Sequence, residues 1–324
     1  MKNFICIVAG EPNSINSEII AKAWKKKDVF KKSNIFIVGN YNLIKLQLKK
    51  IKIKIKIKKV STVEKQNFKK SLLILDVPLN FKNPFKITKK NKKIYILKSF
   101  KIAIDLARRN KVLGFINCPI NKTETFGNKD IGITEFLAKN EGIYGNEAML
   151  IYNQKLSVVP VTTHIKVKNI AKQLSKKLLI NKSITINKFF MKRFDIKPRI
   201  GILGLNPHNY EFRKNSEEKK IIIPAIKILK KRNINVSGPL SSDTAFIDFN
   251  KKKFDVLVGM YHDQVLSPFK AIFKFDAINI TLGLPYIRIS PDHGTGKDII
   301  KKNLASPESL VKSIRFLNKI NVRT

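Results

Sequence analysis

The chain has 324 residues, enough for one large core or for two domains, and 43% of them are hydrophobic, which excludes a disordered polymer. A formal charge of +42 invites a nucleic-acid or anionic-membrane reading, but only 9 of the 65 basic residues are Arg, the side chain that forks onto phosphates and base edges. The lysines are spread along the chain beside abundant Ile and Asn, all three encoded by AT-rich codons, so compositional drift accounts for the charge and no specific nucleic acid is expected as partner.

Taken in chain order, apolar runs predict strands at 4–9, 34–38, 72–76, 112–117, 156–161, 200–205 and 255–260. Helices are predicted around 15–26, 92–109, 167–176, 217–231 and 306–318. Such alternation predicts an α/β protein whose sheets are covered by helices on both faces. The strict Ile/Lys alternation at 51–58 predicts a half-buried edge strand whose lysines discourage edge-to-edge pairing. Cys6 and Cys118 sit inside apolar runs, as buried thiols in a reducing compartment do. The first run has no signal-peptide anatomy and no stretch reaches the ~18 apolar residues of a membrane helix. The expected location is cytoplasmic, with no membrane partner.

The four histidines are His164, His208, His262 and His293. The first three follow apolar runs, in Thr162-Thr163-His164, Asn206-Pro207-His208 and Tyr261-His262-Asp263-Gln264. Ligands of open α/β sheets gather at the carboxyl ends of strands, and three imidazoles delivered there can hold one divalent metal with positions left open for substrate. Spacing alone does not choose between this and ordinary packing or surface histidines. The gaps are 44 and 54 residues, and no local metal motif is present. No G-x-G-x-x-G follows a strand, so a Rossmann fingerprint is absent.

The segment from Tyr261-His262-Asp263-Gln264 through Ser267-Pro268-Phe269-Lys270, Asn279, Leu282-Gly283-Leu284-Pro285 and Arg288 to Asp292-His293-Gly294-Thr295 closely resembles the C-terminal signature of the 4-hydroxythreonine-4-phosphate dehydrogenase family. Further blocks resemble it in the right order: Pro119-Ile120-Asn121-Lys122, Thr134-Glu135-Phe136-Leu137-Ala138, Thr162-Thr163-His164, Gly204-Leu205-Asn206-Pro207-His208, and Gly238-Pro239-Leu240 with Asp243-Thr244. The resemblance spans nearly the whole chain.

It implies two α/β/α domains with a cleft between them, of the isocitrate and isopropylmalate dehydrogenase kind, which bind NAD or NADP without the Rossmann fingerprint. The first domain is expected at 1–130 plus 285–324 and the second at 131–284. The implied reaction oxidises 4-phosphohydroxy-L-threonine and decarboxylates the product to 3-amino-2-oxopropyl phosphate, in pyridoxine 5'-phosphate biosynthesis. His164, His208 and His262 match the family's ligands to a divalent metal (Zn, Co, Mn or Mg). The third comes from the partner subunit, which implies a homodimer with shared active sites. Thr134, Lys270, Asn279 and Arg288 match residues that bind the phosphorylated substrate, and Asp243 is a further candidate; His293 has no assigned role. No cofactor-contacting residue is assigned.

Three departures stand out. Gly10-Glu11-Pro12-Asn13-Ser14-Ile15-Asn16-Ser17-Glu18 replaces the family's G-D-P-x-G-I-G-P-E turn. Ile133 stands where the family has a substrate-contacting His before the threonine. Asn209-Tyr210-Glu211-Phe212-Arg213 replaces an A-G-E-G-G loop, with less backbone freedom. Two alternatives remain open: a related dehydrogenase of 4-phospho-threonate or 4-phospho-erythronate, and, from another class, a basic nucleic-acid-binding protein.

Overall fold

The computed structural model describes residues 4–30, 33–64, 66–127, 132–247, 249–251, 253–274 and 276–320. The strands are β1 (Phe4–Val8), β2 (Asn34–Gly39), β3 (Ile57–Val60), β4 (Leu72–Asp76), β5 (Gly114–Asn117) and β6 (Ala148–Tyr152). They continue with β7 (Ser157–Thr162), β8 (Ile200–Leu203), β9 (Val236–Leu240), β10 (Val256–Tyr261), β11 (Ile278–Leu282) and β12 (Arg288–Pro291). Two compact units result, Met1–Lys129 with Pro285–Thr324, and Asp130–Leu284. The expected domain boundary at 130/131 lies outside the described residues.

In the first unit the strand order is β3-β4-β2-β1-β5-β12, with parallel pairing throughout. β1 is buried at every residue, which is why it reads as an unbroken apolar run rather than an alternating one. The helix Lys89–Arg108 packs on β1, β2 and β5. The helix Asn16–Lys25 contacts Tyr41–Lys50 and Glu308–Ile320, and the last of these packs on β5 and β12.

In the second unit the order is β11-β6-β7-β10-β8-β9. β7, β10, β8 and β9 run parallel, whereas β6 is antiparallel to both β7 and β11. The helix Lys176–Phe194 packs on β6, β7 and β11, and His262–Phe273 on β7 and β10. The core under the latter joins Val158 and Leu257 of the sheet to Val265, Phe269 and Phe273 of the helix.

The alternating segment at 51–58 departs from its expected form, because regular pairing begins only at Ile57, in edge strand β3. The first residues of the alternation terminate the helix Tyr41–Lys50 instead. Lys52 takes φ 58°, with Lys52 N donating to Lys49 O at 3.2 Å and Ile53 N to Leu48 O at 3.0 Å. This paired pattern is a Schellman motif, and Leu48 and Ile53, the two positions whose apolar side chains accompany such a motif, are both buried. No described helix is long and apolar enough to cross a membrane.

Candidate functional site

β10 lies between β7 and β8 and runs parallel to both. Tyr261 pairs with Thr162, so β7 and β10 end at the same edge. His164 follows β7 by two residues, and His262 is the first residue of the helix that leaves β10. Their ring centroids lie 6.0 Å apart at 41°. An imidazole nitrogen about 2.1 Å from an ion puts its ring centroid about 3 Å away, so a small approach of the two rings brings both within reach of one cation.

Each ring has a carboxylate on its Nδ1 side. Asp263 Oδ1 lies 2.7 Å from His262 Nδ1, and Glu135 Oε1 lies 3.5 Å from His164 Nδ1. Thr163 Oγ1 donates to the same Glu135 oxygen at 2.6 Å. Burial opposes ionisation of Glu135, but His164 and Thr163 outweigh it and hold the carboxyl at about 2.

His208 is placed differently. It follows β8 on an exposed turn in which five successive residues, His208 to Phe212, have φ between 49° and 57°. Left-handed backbone costs a non-glycine residue roughly 1–2 kcal/mol, so this turn is strained where the family loop is glycine-rich. Its base is anchored: buried Glu218 accepts from Leu205 N at 2.8 Å and Asn206 N at 2.9 Å. Gln264 ties the turn to the next histidine, donating to Gly204 O at 2.6 Å while accepting from Met260 N at 2.6 Å. Asp243 is exposed, and a hydrogen bond from Ser241, with a further contribution from the nearby His208, holds its carboxyl below the usual range. His208 is not part of the His164–His262 pair. Among the described residues no three His, Cys, Asp or Glu side chains cluster tightly enough in one chain to hold an ion.

The substrate candidates divide between the units. In the second, Thr134 is buried in the first turn of the helix Ile133–Asn140, and its Oγ1 lies 3.2 Å from Thr281 Oγ1. Asn279, two residues earlier on β11, projects from the same face as Thr281, and its buried amide oxygen has no hydrogen-bond partner among the described residues. Lys270 is half-buried, two turns along the helix that begins at His262. Arg288 belongs to the first unit, where it is 2% exposed and its Nε donates to Asn117 Oδ1 at 2.6 Å. The bond fixes the orientation of a guanidinium that is almost wholly buried.

The N-terminal turn is consumed by its own packing. Gly10 has φ +75°, and a Cβ there would lie 2.6 Å from Cys118 O, while Asn16 Nδ2 donates to Ala9 O and Pro119 O at 2.9 Å each. His293 has its Nδ1 3.0 Å from Gly294 O, and burial lowers its pKa. Glu135, Gln264, Glu218, Thr281 and Asn117 were not singled out by the sequence. Glu135 and Gln264 carry a local signal, their places in the blocks beginning at Thr134 and Tyr261; Glu218, Thr281 and Asn117 act through partners distant in sequence.

The chain matches the family described as Pyridoxal phosphate biosynthetic protein PdxA over residues 31–317. The 4-hydroxythreonine-4-phosphate dehydrogenase of Sulfurihydrogenibium sp. (strain YO3AOP1) is 37% identical over 321 residues, which cover 96% of each chain. A crystal structure of 4-hydroxythreonine-4-phosphate dehydrogenase from Klebsiella pneumoniae superposes with a TM-score of 0.85 at 27% identity, covering 98% of this chain and 99% of that one. Isocitrate dehydrogenase from Methylococcus capsulatus shares the fold alone, with a TM-score of 0.50 at 13% identity over 97% of this chain and 84% of that one.

Proposed function

This chain belongs to the family of the pyridoxal phosphate biosynthetic protein PdxA, and from that premise we propose that it oxidises 4-phosphohydroxy-L-threonine at its secondary alcohol and releases carbon dioxide and 3-amino-2-oxopropyl phosphate. The observation that carries the reading is the meeting of His164 and His262 at the ends of adjacent parallel strands, in a chain 37% identical to a 4-hydroxythreonine-4-phosphate dehydrogenase over nearly its whole length.

The donor set fits a divalent metal: two imidazoles, each with a carboxylate on its Nδ1 side, leave their Nε2 atoms for the ion. His164, His208 and His262 would hold it, one of the three contributed by the partner subunit, which would make the enzyme a homodimer with shared sites. When bound, the cation (Zn, Co, Mn or Mg) supplies Lewis acidity, lowering the pKa of the alcohol and stabilising negative charge as carbon dioxide leaves. The nicotinamide cofactor, NAD or NADP, supplies the hydride acceptor. Thr134 and Asn279 offer a hydroxyl and an amide to the phosphate. Lys270 and Arg288 offer positive charge, the latter oriented by Asn117. Orientation by such groups makes the reaction effectively unimolecular.

A second reading stays open. Ile133, only 6% exposed, stands where the family has a substrate-contacting histidine, and the lost contact leaves room for a change of substrate to 4-phospho-threonate or 4-phospho-erythronate, which carry a hydroxyl in place of the amino group. NADH formation by the metal-supplemented protein, with each of the three substrates and with and without chelator, decides between them. Chelator-sensitive turnover of the amino acid alone establishes the first reading; preference for a sugar acid establishes the second. Turnover of none of them removes both.

A further inference from the structure

We propose that Glu135 is a positioning residue that fixes the His164 ring for metal binding, and that Gly132 is glycine to leave room for this contact. The proposal rests on the metal reading above and extends it to a residue outside the ligand set. Glu135 is the third residue of the helix Ile133–Asn140, and Gly132 is that helix's N-cap. Its carboxylate is inserted beneath the loop that follows β7, where Thr163 Oγ1 donates to Oε1 at 2.6 Å and His164 Nδ1 approaches the same oxygen to 3.5 Å.

Neither group is fully satisfied: beside the Oε1 bond from Thr163, Glu135 Oε2 and His164 Nδ1 are buried with no hydrogen-bond partner among the described residues. A buried polar pair left this short of contact is costly unless a small movement closes it. Closing the last few tenths of an ångström makes Nδ1–H the donor to the carboxylate. That places the lone pair on Nε2, the nitrogen on the far side of the ring, and fixes both tautomer and ring plane. A histidine ligand typically donates its other N–H to a carboxylate in this way. Thr163 sets the orientation of the carboxylate in turn.

Gly132 completes the arrangement. A Cβ at that position would collide with Glu135 Oε2 and lie 2.6 Å from His164 Cε1. The collision involves both members of the pair, so any larger residue would force them apart. A plain helix-capping role for Glu135 would need neither Thr163, nor His164, nor this gap.

The test is metal affinity, measured on the full-length protein by competition between Zn2+ and a chromophoric chelator. E135Q keeps the size of the side chain but removes the charge that selects the Nδ1–H tautomer. Its dissociation constant for Zn2+ should rise about 10–100-fold, with the melting temperature of the metal-free protein unchanged. T163V should weaken binding by a smaller factor, and Gly132→Ala by at least as much as E135Q. E135D, with a carboxylate one methylene shorter, should fall between E135Q and the unmodified protein, and it replaces E135Q as the decisive variant if E135Q does not fold. The proposal is overturned if E135Q, or E135D in its place, binds Zn2+ as tightly as the unmodified protein. It is likewise overturned if the loss of affinity follows the loss of thermal stability across the series, as a capping role predicts. H164A separates this failure from failure of the underlying reading: unchanged affinity in H164A removes the metal site itself, whereas weakened H164A beside unchanged E135Q removes only the positioning role.

Discussion

Two polar clusters, one in each unit, bury carboxylates in opposite ways. In the first unit Lys92 sits between Glu11, 3.1 Å away, and Glu124, with side-chain exposures of 6% for Lys92 and 0% for Glu11. Asn121 adds two bonds, its N donating to Glu11 Oε2 at 3.2 Å and its Nδ2 to Glu124 Oε1 at 2.7 Å, while Glu11 Oε1 faces the Lys92 ammonium as an ion pair without a hydrogen bond. In the second unit Glu135, His164 and Asn279 each keep a buried polar atom unpaired. The first cluster has its buried carboxylate charge met by Lys92 and ties the N-terminal turn to the helices Lys89–Arg108 and Lys122–Phe126. The second is incomplete in the same physical sense in which a binding site is incomplete. Unsatisfied buried groups cost stability, and a fold tolerates them where a ligand completes them.

The comparison breaks first at Lys92. Lys92→Met keeps the aliphatic stem but leaves Glu11 without a counter-charge in a buried site, a change that typically costs about 3–5 kcal/mol. Trp24 is the only tryptophan and belongs to the first unit, so denaturant unfolding followed by its fluorescence reads that unit. A cost under about 1 kcal/mol would mean that the cluster is not closed as described. The corresponding loss of His164 by substitution with Ala removes one of the two partners that hold the Glu135 carboxyl ionised, but Thr163 still donates to it, so the cost should be smaller than that of Lys92→Met.

A smaller effect follows from pH. The hydrogen bond from Lys92 lowers the pKa of Glu124 against the opposing effect of burial. Burial lowers the Lys92 pKa, but Glu124 and Glu11 outweigh it and raise the net value. A carboxyl depressed in the folded state contributes stability that is present above its ordinary value of 4.5 and is lost as pH falls through the depressed value. A raised lysine contributes stability that is full below 10.5 and is lost as pH rises through the folded value. Stability of the first unit, read at Trp24, should therefore be level across the middle of the range and fall at both ends. Glu124→Gln should flatten the acid limb; an unchanged limb would show that the pair contributes nothing through Glu124.

Much of the sheet is legible in the sequence, because strands buried on both faces are unbroken apolar runs. β1, β2, β4, β5, β7, β8 and β10 all coincide with such runs to within about two residues. So are the places where His164, His208 and His262 leave the sheet. Shorter or more polar strands give no such signal: β9 contains Gly238-Pro239, and β11 and β12 carry Asn279 and Arg288. The helix His262–Phe273 is hidden by its start immediately after β10 and by Pro268 inside it. The alternation at 51–58 misleads because the period of a strand and the end of a helix overlap in the same residues. The roles of Glu218 and Gln264 were illegible for a different reason. Each acts on backbone 12 to 60 residues away, and a single long-range hydrogen bond has no periodicity to betray it.

The smallest expected effect sharpens the comparison within the second cluster, at the one position where its polarity has been removed. Ile133 is the first residue of the helix that carries Thr134 and Glu135, and it is buried rather than offered to solvent. If the cluster is incomplete because it awaits a phosphorylated amino acid, Ile133→His restores a donor to that ligand. One neutral hydrogen bond contributes about 0.5–1.5 kcal/mol, which lowers KM for 4-phosphohydroxy-L-threonine by roughly 2- to 12-fold. The imidazole must also be desolvated in the empty protein, so the melting temperature without substrate should fall slightly while the shift on substrate binding grows. An increase in KM with the fold intact would mean that the pocket has been rebuilt around an apolar group. The unsatisfied amide of Asn279 would then face a substrate without the family's amino group, and the sugar-acid substrates would show the lower KM.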